Sequence, residues 1–256
     1  MQQFEETLNN PNLPDNRVTG VIAGAAYKET AESLNKSGIR IINIRYNKLL
    51  PEFLTYHSDM NIFHYCNNEF YISKETAGES GSDFLYNIIP ESIGVKYPDD
   101  CRLNAVRIGN KLICNKKSAS VSILNRAESD GLEIINVKQG YTKCSVCVID
   151  ENSFITDDES IYKSAGKYFD DVLFVSKGSI RLEGMNYGFI GGCTGKINKN
   201  EIAFNGRIES HTDHNSIIDF LNMHRIKATE LTEDTLTDIG SIIPVIQIKG
   251  HTRGLI

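Results

Sequence analysis

The sequence predicts an α/β fold of five similar units, a five-fold pseudosymmetric α/β propeller in which each unit consists of a helix, a strand and a hairpin. Two observations predict it. Helix-like segments are each followed by a short strand rich in β-branched residues, and most of these strands are followed by a hairpin. Units of about 40 residues bury their apolar faces only by stacking on one another, which predicts an array or a ring.

Five helix–strand pairs recur along the chain. Residues 31–38 precede a strand at 39–44, 83–89 precede 95–97, 118–128 precede 132–137, 160–168 precede 172–175, and 215–224 precede 226–231. Apolar positions three or four residues apart predict the helices, and Gly38 and Gly131 stand where helices commonly end. The alternative is an ordinary α/β fold in which strands and helices simply alternate.

Hairpins follow four of the five units. Each is an apolar strand, a polar turn and a second apolar strand, at residues 62–72, 105–114, 146–155 and 195–204. Asn, Asp and Gly supply the backbone freedom that tight turns need. The last copy, residues 240–247, has only part of a hairpin, and we expect residues 20–24 to pair with it. The repeats cover about residues 17–248, which predicts one domain over residues 1–256.

The amino-acid composition indicates which classes of binding partner to expect. The formal net charge is −6 and no basic run is present, which disfavours nucleic acid. No apolar run is long enough to cross a bilayer, and the first residues do not resemble a secretion signal. Six cysteines in this context indicate reduced thiols. We therefore expect a cytoplasmic protein that binds a small molecule and neither nucleic acid nor membrane.

Several segments resemble the pentein superfamily, the fold shared by guanidino-group-modifying enzymes. Residues 97–113 (YPDDCRLNAVRIGNKLI) resemble its aspartate-bearing segment, and residues 57–61 (HSDMN) resemble its His-x-Asp segment. Residues 188–195 (GFIGGCTG) and 236–244 (LTDIGSIIP) are similar to an uncharacterised branch with this fold. The resemblance implies a divergent hydrolase or amidinotransferase-like enzyme that acts on, or binds, a small guanidino- or amine-bearing ligand in a central channel.

The last repeat departs from the pattern of the catalytic members. The resemblance implies a nucleophilic cysteine there, after a glycine-rich stretch, but residues 238–244 read DIGSIIP and the last cysteine of the chain is Cys193. Because the usual nucleophile is missing, guanidine hydrolysis and amidino transfer are both in doubt. The alternative function is a non-catalytic binding protein or an interaction scaffold with the same fold.

Polar residues just after the first strand of each unit are expected to face the central channel. Carboxylates that converge there would hold a guanidinium or ammonium group by charge-assisted hydrogen bonds. We predict that Asp99 and Asp238 grip the cation and that His57 carries a proton. The predicted ligand-binding residues are Asp59, Asp99, Asp100, Asn104, Lys143 and Asp238. The alternative role of each aspartate is to cap a helix, close a turn or form a surface pair.

Cys193 is the one remaining candidate for a nucleophile. It lies in a glycine-rich stretch, where exposed backbone N–H groups could stabilise developing negative charge. As a thiolate it would attack carbon, provided that a histidine and a positive environment lowered its pKa. The alternative is a small buried residue in a tight glycine turn.

Neither a metal nor a cofactor is predicted. Cys144 and Cys147 have CxxC spacing, but residues three apart in a strand face opposite sides, and His211 and His214 are distant in sequence. Residues 191–196 (GGCTGK) lack the spacing of a phosphate-binding loop.

An insertion at residues 182–187 is expected to form a lid or rim over the channel. Tyr187 and Phe189 would then stack on a planar ligand, unless they simply fill the core.

Overall fold

Five small mixed sheets follow one another around a common axis in the computed structural model, which describes residues 4–24, 26–77 and 84–250. Sheet 1 has the strand order β1 (Glu5–Thr7), β16 (Ile243–Ile248), β2 (Val18–Ile22), β3 (Arg40–Ile41). Sheet 2 is β4 (Ile62–Cys66), β5 (Glu69–Ile72), β6 (Leu85–Ile88), and sheet 3 is β7 (Val106–Ile108), β8 (Lys111–Cys114), β9 (Glu133–Asn136). Sheet 4 is β10 (Val146–Asp150), β11 (Ser153–Thr156), β12 (Asp171–Phe174), and sheet 5 is β13 (Thr194–Asn198), β14 (Glu201–Phe204), β15 (Lys227–Glu230).

Every sheet repeats one pattern. Two strands pair antiparallel, and the second of them pairs in parallel with a third, which requires a crossover. The crossover helices are α1 (Lys28–Lys36) in sheet 1, α4 (Val121–Ser129) in sheet 3, α5 (Glu159–Ala165) in sheet 4 and α6 (His214–Met223) in sheet 5. Two shorter helices, α2 (Glu52–Thr55) and α3 (Ser58–Asn61), connect sheet 1 to sheet 2. The predicted five-fold pseudosymmetric propeller is confirmed.

The hairpins show how closely the units repeat. In β4, β10 and β13 the pairing register shifts at the same place, just before the turn, as it does between His64 and Cys66. Such an irregularity strengthens the local twist of a strand. The four predicted hairpins are confirmed, and so is the predicted pairing of residues 20–24, because Gly20 to Ile22 pair antiparallel with β16.

An apolar cluster joins each pair of neighbouring sheets. Between sheets 2 and 3, for example, Phe63 and Tyr65 of β4 belong to one cluster with Leu112 of β8. Between sheets 1 and 2, Ile22 packs with Phe70. Other clusters join sheet 3 to sheet 4, sheet 4 to sheet 5, and sheet 5 to sheet 1. Each sheet therefore packs on two neighbours, and first hairpin strands of neighbouring sheets are in contact, as β10 is with both β7 and β13.

One predicted helix–strand pair is wrong. The segment 83–89 is predicted to be a helix, but residues Leu85–Ile88 form strand β6, parallel to β5, and residues 95–97 form no strand. The segment is apolar at several positions three or four apart, which matches a helix, but its place beside β5 makes it the third strand of the sheet. Asp83 lies outside the described residues.

No helix in the described part of the chain is both long and apolar enough to cross a membrane.

Candidate functional site

Five chain segments meet near the axis, one before the first hairpin strand of each sheet. Hydrogen bonds link each segment to the next and lead back to the first. Asp59 N–H donates to Gly240 O (3.1 Å), Asn104 Nδ2 to Asp59 O (3.3 Å), Lys143 N–H to Asn104 Oδ1 (2.7 Å), Gly192 N–H to Cys144 O (2.8 Å) and Ser241 N–H to Gly192 O (2.8 Å). Residues far apart in sequence thus form one polar centre, which we call the central site.

Asp238, the first of its carboxylates, is fully enclosed. Its two oxygens accept the backbone N–H groups of Phe189 (3.0 Å) and Gly240 (2.9 Å). Burial raises the pKa of Asp238 to about 6, and these N–H donors limit the rise. Glycine is needed beside it, because a Cβ at Gly192 would lie 2.0 Å from Asp238 Oδ1.

His57 and Asp59 come from α3 and the residue before it. Asp59 Oδ2 accepts hydrogen bonds from Ser241 Oγ (2.6 Å) and Cys144 Sγ (3.1 Å). Among the described residues, neither Asp59 Oδ1 nor either ring nitrogen of His57 has a hydrogen-bond partner, although all three atoms are buried. His57 Nδ1 lies 3.7 Å from Asp238 Oδ1, too far for a hydrogen bond.

Burial shifts the pKa values of His57 and Asp59 in opposite directions. It lowers the pKa of His57 and raises the pKa of Asp59, because in both cases the charged form loses hydration. His57 is therefore neutral at pH 7, and one of its two nitrogens can accept a proton or a hydrogen bond.

Lys143 and Asn104 complete the predicted group. The backbone N–H of Lys143 is held by the Asn104 side chain, whose amide nitrogen also donates to Cys144 Sγ (3.1 Å). Burial lowers the pKa of Lys143, and the charge of Asp59 opposes this shift. The structure thus brings together five of the predicted residues, which are His57, Asp59, Asn104, Lys143 and Asp238.

Two further residues at the centre were missed by the sequence reasoning. Asp157 is buried just after β11, and its Oδ2 accepts the N–H of Ile190 (3.0 Å) while its Oδ1 has no partner among the described residues. Burial raises the pKa of Asp157 to about 7, and the nearby charge of Asp238 adds to the rise. The sequence reasoning considered only residues just after the first strand of each unit, whereas Asp157 follows β11, the second strand of a hairpin.

Ser241, the other missed residue, occupies the last repeat, where a cysteine was sought. It has a positive φ of 69°, which is uncommon for a residue other than glycine and clusters at functional sites. Its hydroxyl holds Asp59 and therefore helps to fix that carboxylate.

Asp99 and Asp100 do not join the central site through direct contacts. The side chain of Asp99 is 60% exposed and forms an ion pair with Arg102. Asp100 is buried, but its Oδ2 accepts the Tyr141 hydroxyl (2.7 Å). The pair lies in a short 3₁₀ helix, in which successive side chains point about 120° apart, so only the second turns inward.

Cys193 lies in the apolar cluster between sheets 4 and 5. Its Sγ donates to Ile190 O (3.2 Å), and burial together with the charge of Asp238 raises the pKa of the thiol well above its usual value. A neutral thiol is a poor nucleophile. These surroundings favour the buried structural role over the catalytic one.

A family model for a family of unknown function, DUF6873, matches residues 21–243, most of the described chain. The chain belongs to the DUF6873 family. No curated protein sequence matches it.

Solved structures show that this DUF6873 member has the pentein fold. An amidinotransferase of the saxitoxin biosynthetic pathway from Microseira wollei has a TM-score of 0.58 and 10% identity, over 96% of this chain and 99% of that one. The agmatine deiminase of C. jejuni has a TM-score of 0.56 and 9% identity, over 98% of each chain. The inosamine-phosphate amidinotransferase of Streptomyces griseus has a TM-score of 0.54 and 10% identity, over 95% and 98%. At these identities the likeness shows the fold.

The central site of the DUF6873 chain is acidic and incompletely satisfied. The charges of Asp59 and Asp238 act on the ammonium group of Lys143, and that of Asp238 also acts on Asp157. One oxygen of Asp59 and one of Asp157 lack a donor within the described residues. Chemically, such a site can accept hydrogen bonds from a cation and can exchange protons near neutral pH.

Proposed function

We propose that the protein binds a small guanidino- or amine-bearing cation at the central site. The observation that carries this proposal is the convergence of three buried carboxylates, Asp59, Asp157 and Asp238, on one place. Buried polar atoms are normally hydrogen-bonded, so the free oxygens of Asp59 and Asp157 call for a donor. A guanidinium offers several donors in one plane.

Charge favours the same class of ligand. Burial raises the pKa values of all three carboxyls, and the charge of Asp238 adds to the rise at Asp59 and Asp157, so a cation placed among them would stabilise their ionised forms. Lys143 supplies one positive charge but is itself destabilised by burial. A bound cation would leave the buried site closer to neutral.

The neutral His57 is suited to accept a hydrogen bond from the ligand or to carry a proton. The surroundings of Cys193 support no nucleophilic role, so the proposal is binding, and a hydrolase or transferase step is not part of it. The structural relatives whose names state an action on amidino or guanidino groups are consistent with this class of ligand.

The test measures thermal stability with methylguanidine, agmatine and putrescine, and with urea as an uncharged analogue. A ligand that binds only the folded state stabilises it by about 2.7 kcal/mol at about 100 times its Kd. We expect the cations to raise the melting temperature and urea to leave it unchanged.

The variants Asp59→Asn and Asp157→Asn suit this test, because the amide nitrogen can take the place of the oxygen that lacks a partner. Each is expected to weaken cation binding at least about tenfold, as removal of a charged hydrogen-bond acceptor does. Asp99→Asn is the matched control and should bind as tightly as the wild type. No stabilisation by any cation, or equal losses in all three variants, would overturn the proposal.

A further inference from the structure

Four aromatic rings form a continuous series beside the central site. The ring centroids of Tyr97 and Tyr141 are 5.6 Å apart, those of Tyr141 and Phe189 6.0 Å, and those of Phe189 and Tyr187 5.9 Å. We call these four residues the aromatic arc. Its members come from three different connections between sheets, so the fold, and not one local motif, brings them together.

The arc leads from the surface to the buried carboxylates. At one end Tyr97 is 51% exposed. Near the other end, the backbone N–H of Phe189 donates to Asp238 Oδ2, and the next residue, Ile190, donates to Asp157. The ring of Phe189 is thus attached to the segment that binds two of the three carboxylates.

The ammonium group of Lys177, at the Tyr187 end of the arc, already has a carboxylate partner. Lys177 Nζ lies 5.8 Å from the ring centroid of Tyr187, forms an ion pair with Asp158 (3.4 Å) and lowers the pKa of Asp157 by its charge. Tyr187 and Asp157 are therefore close to the same ammonium group, which ties the arc to the site a second time.

Core packing does not account for most of the arc. Tyr141 packs against the cluster between sheets 2 and 3, but in the described part of the chain Tyr97, Phe189 and Tyr187 belong to none of the clusters between sheets. Partly exposed rings in an unbroken series leave apolar faces in water, and such surfaces commonly mark binding sites. Aromatic faces attract planar groups by stacking and cations by their quadrupole.

We propose that the ligand of the central site is an arylalkyl guanidine or arylalkyl amine, whose ring stacks on the aromatic arc while its cation reaches the carboxylates. This inference rests on the proposed function and adds the apolar half of the ligand to it. Acidic and aromatic groups side by side match a molecule with both features, because each half of the ligand meets its complement.

The test compares 2-phenylethylguanidine with methylguanidine by calorimetry. For the wild type we expect the aryl compound to bind at least about tenfold more tightly, since it adds a stacked ring and buried apolar area. Phe189→Leu should reduce this preference to about threefold or less, because it removes the ring but keeps the backbone N–H that binds Asp238. Phe174→Leu is the matched control, since Phe174 is an exposed ring paired with Tyr162 (5.3 Å) on an outer strand, and it should keep the full preference.

Tyr97→Leu gives a second test at an exposed position, and it should also reduce the preference. Methylguanidine binding that depends on Asp157 without any gain from the aryl group would overturn the inference and leave the proposed function standing. Failure of both compounds to bind would overturn both. Aryl binding that survives Asp157→Asn and Asp59→Asn would place the compound on the arc alone and would likewise overturn the inference.

Discussion

Two aspartate-bearing segments occupy equivalent places in their units and yet reach opposite environments. In residues 238–241, Asp238 is buried and held by two backbone N–H groups. In residues 99–104, Asp99 is mostly exposed and paired with Arg102. Asp238 can be buried because glycines at 188 and 192 let another segment approach it closely. Equivalent position in a repeat therefore does not decide burial, and the neighbouring segments do.

The largest effect is expected where that close approach is broken. Gly192→Ala would place its Cβ 2.0 Å from Asp238 Oδ1, so the carboxylate would have to leave its N–H donors. We expect the free energy of unfolding to fall by about 3 kcal/mol, measured by urea unfolding.

Gly166→Ala is the control for this change. Gly166 has helical dihedrals, and a Cβ there would meet its nearest neighbour, Val172, at 3.9 Å. It should be neutral or stabilising by less than about 1 kcal/mol. Similar losses in the two variants would contradict the role given to Gly192.

The second prediction concerns the pH dependence of the free energy of unfolding, which should differ between variants of the adjacent residues Asp157 and Asp158. The folded pKa of Asp157 is raised to about 7, so its protonated form stabilises the fold below its unfolded pKa, and this contribution is lost as the pH rises towards 7. Between pH 5 and pH 7 the loss amounts to about 2 kcal/mol. Asp157→Asn should remove this part of the pH dependence of the free energy of unfolding.

The pKa of Asp158, the next residue, is shifted in the opposite direction. Asp158 accepts the N–H groups of Ser160 and Ile161 at the start of α5, and these bonds, with Lys177 nearby, lower its pKa against the effect of burial. Its contribution is present above its unfolded pKa and is lost only as the pH falls through the lowered value. Asp158→Asn should therefore shift stability by a constant amount over pH 5 to 7, and a changed slope there would count against the assignment.

Ligand binding should also depend on pH. Methylguanidine stays charged well above pH 7, whereas at pH 5 Asp238, with its pKa of about 6, is about one-tenth ionised and Asp157, with its pKa of about 7, about one-hundredth ionised. Calorimetry should therefore give binding at least about tenfold weaker at pH 5 than at pH 7.5, and weaker still if both carboxylates must be charged. Asp99→Asn should leave this profile unchanged, and a flat profile for the wild type would argue against cation binding by buried carboxylates.

The smallest effect is expected at the exposed pair. Asp99→Asn removes an ion pair on the surface, which contributes about 0.3 kcal/mol and less at high salt. Chemical unfolding at low and high salt checks this value. A loss several times larger would mean that Asp99 is not the solvent-exposed counterpart of Asp238.

The sequence was sufficient for the repeat and for part of the site. Alternating hydrophobicity around polar turns predicted the four hairpins, and the segments before three of them contain His57, Asp59, Asn104 and Lys143, while Asp238 precedes β16 in the last copy. Strand β6 was missed because Leu85 and Ile88 are three apart, which fits a helix, and both are exposed. A parallel neighbour, β5, decides its conformation, and a single segment carries no record of that neighbour.

The directions of these side chains could not be predicted from the sequence, for a similar reason. Asp99 and Asp100 are identical in type and adjacent, and only the 3₁₀ geometry selects which of them turns towards Tyr141. Cys193 appeared reactive from its glycine-rich surroundings, but its packing depends on apolar residues contributed by sheets 4 and 5. Asp157 and Ser241 gained significance only from partners on other units.

The pairing of β16 with β2 has a consequence for how the protein is made. The paired residues are more than two hundred positions apart in sequence, so these contacts cannot form until β16 has left the ribosome. Topologies rich in such long-range contacts fold slowly. Asp238 and Ser241 stand immediately before that strand, so the acidic pocket is assembled among the final events of folding. Until then its carboxylates remain hydrated, and a nascent chain should have no affinity for the cation proposed to bind the folded protein.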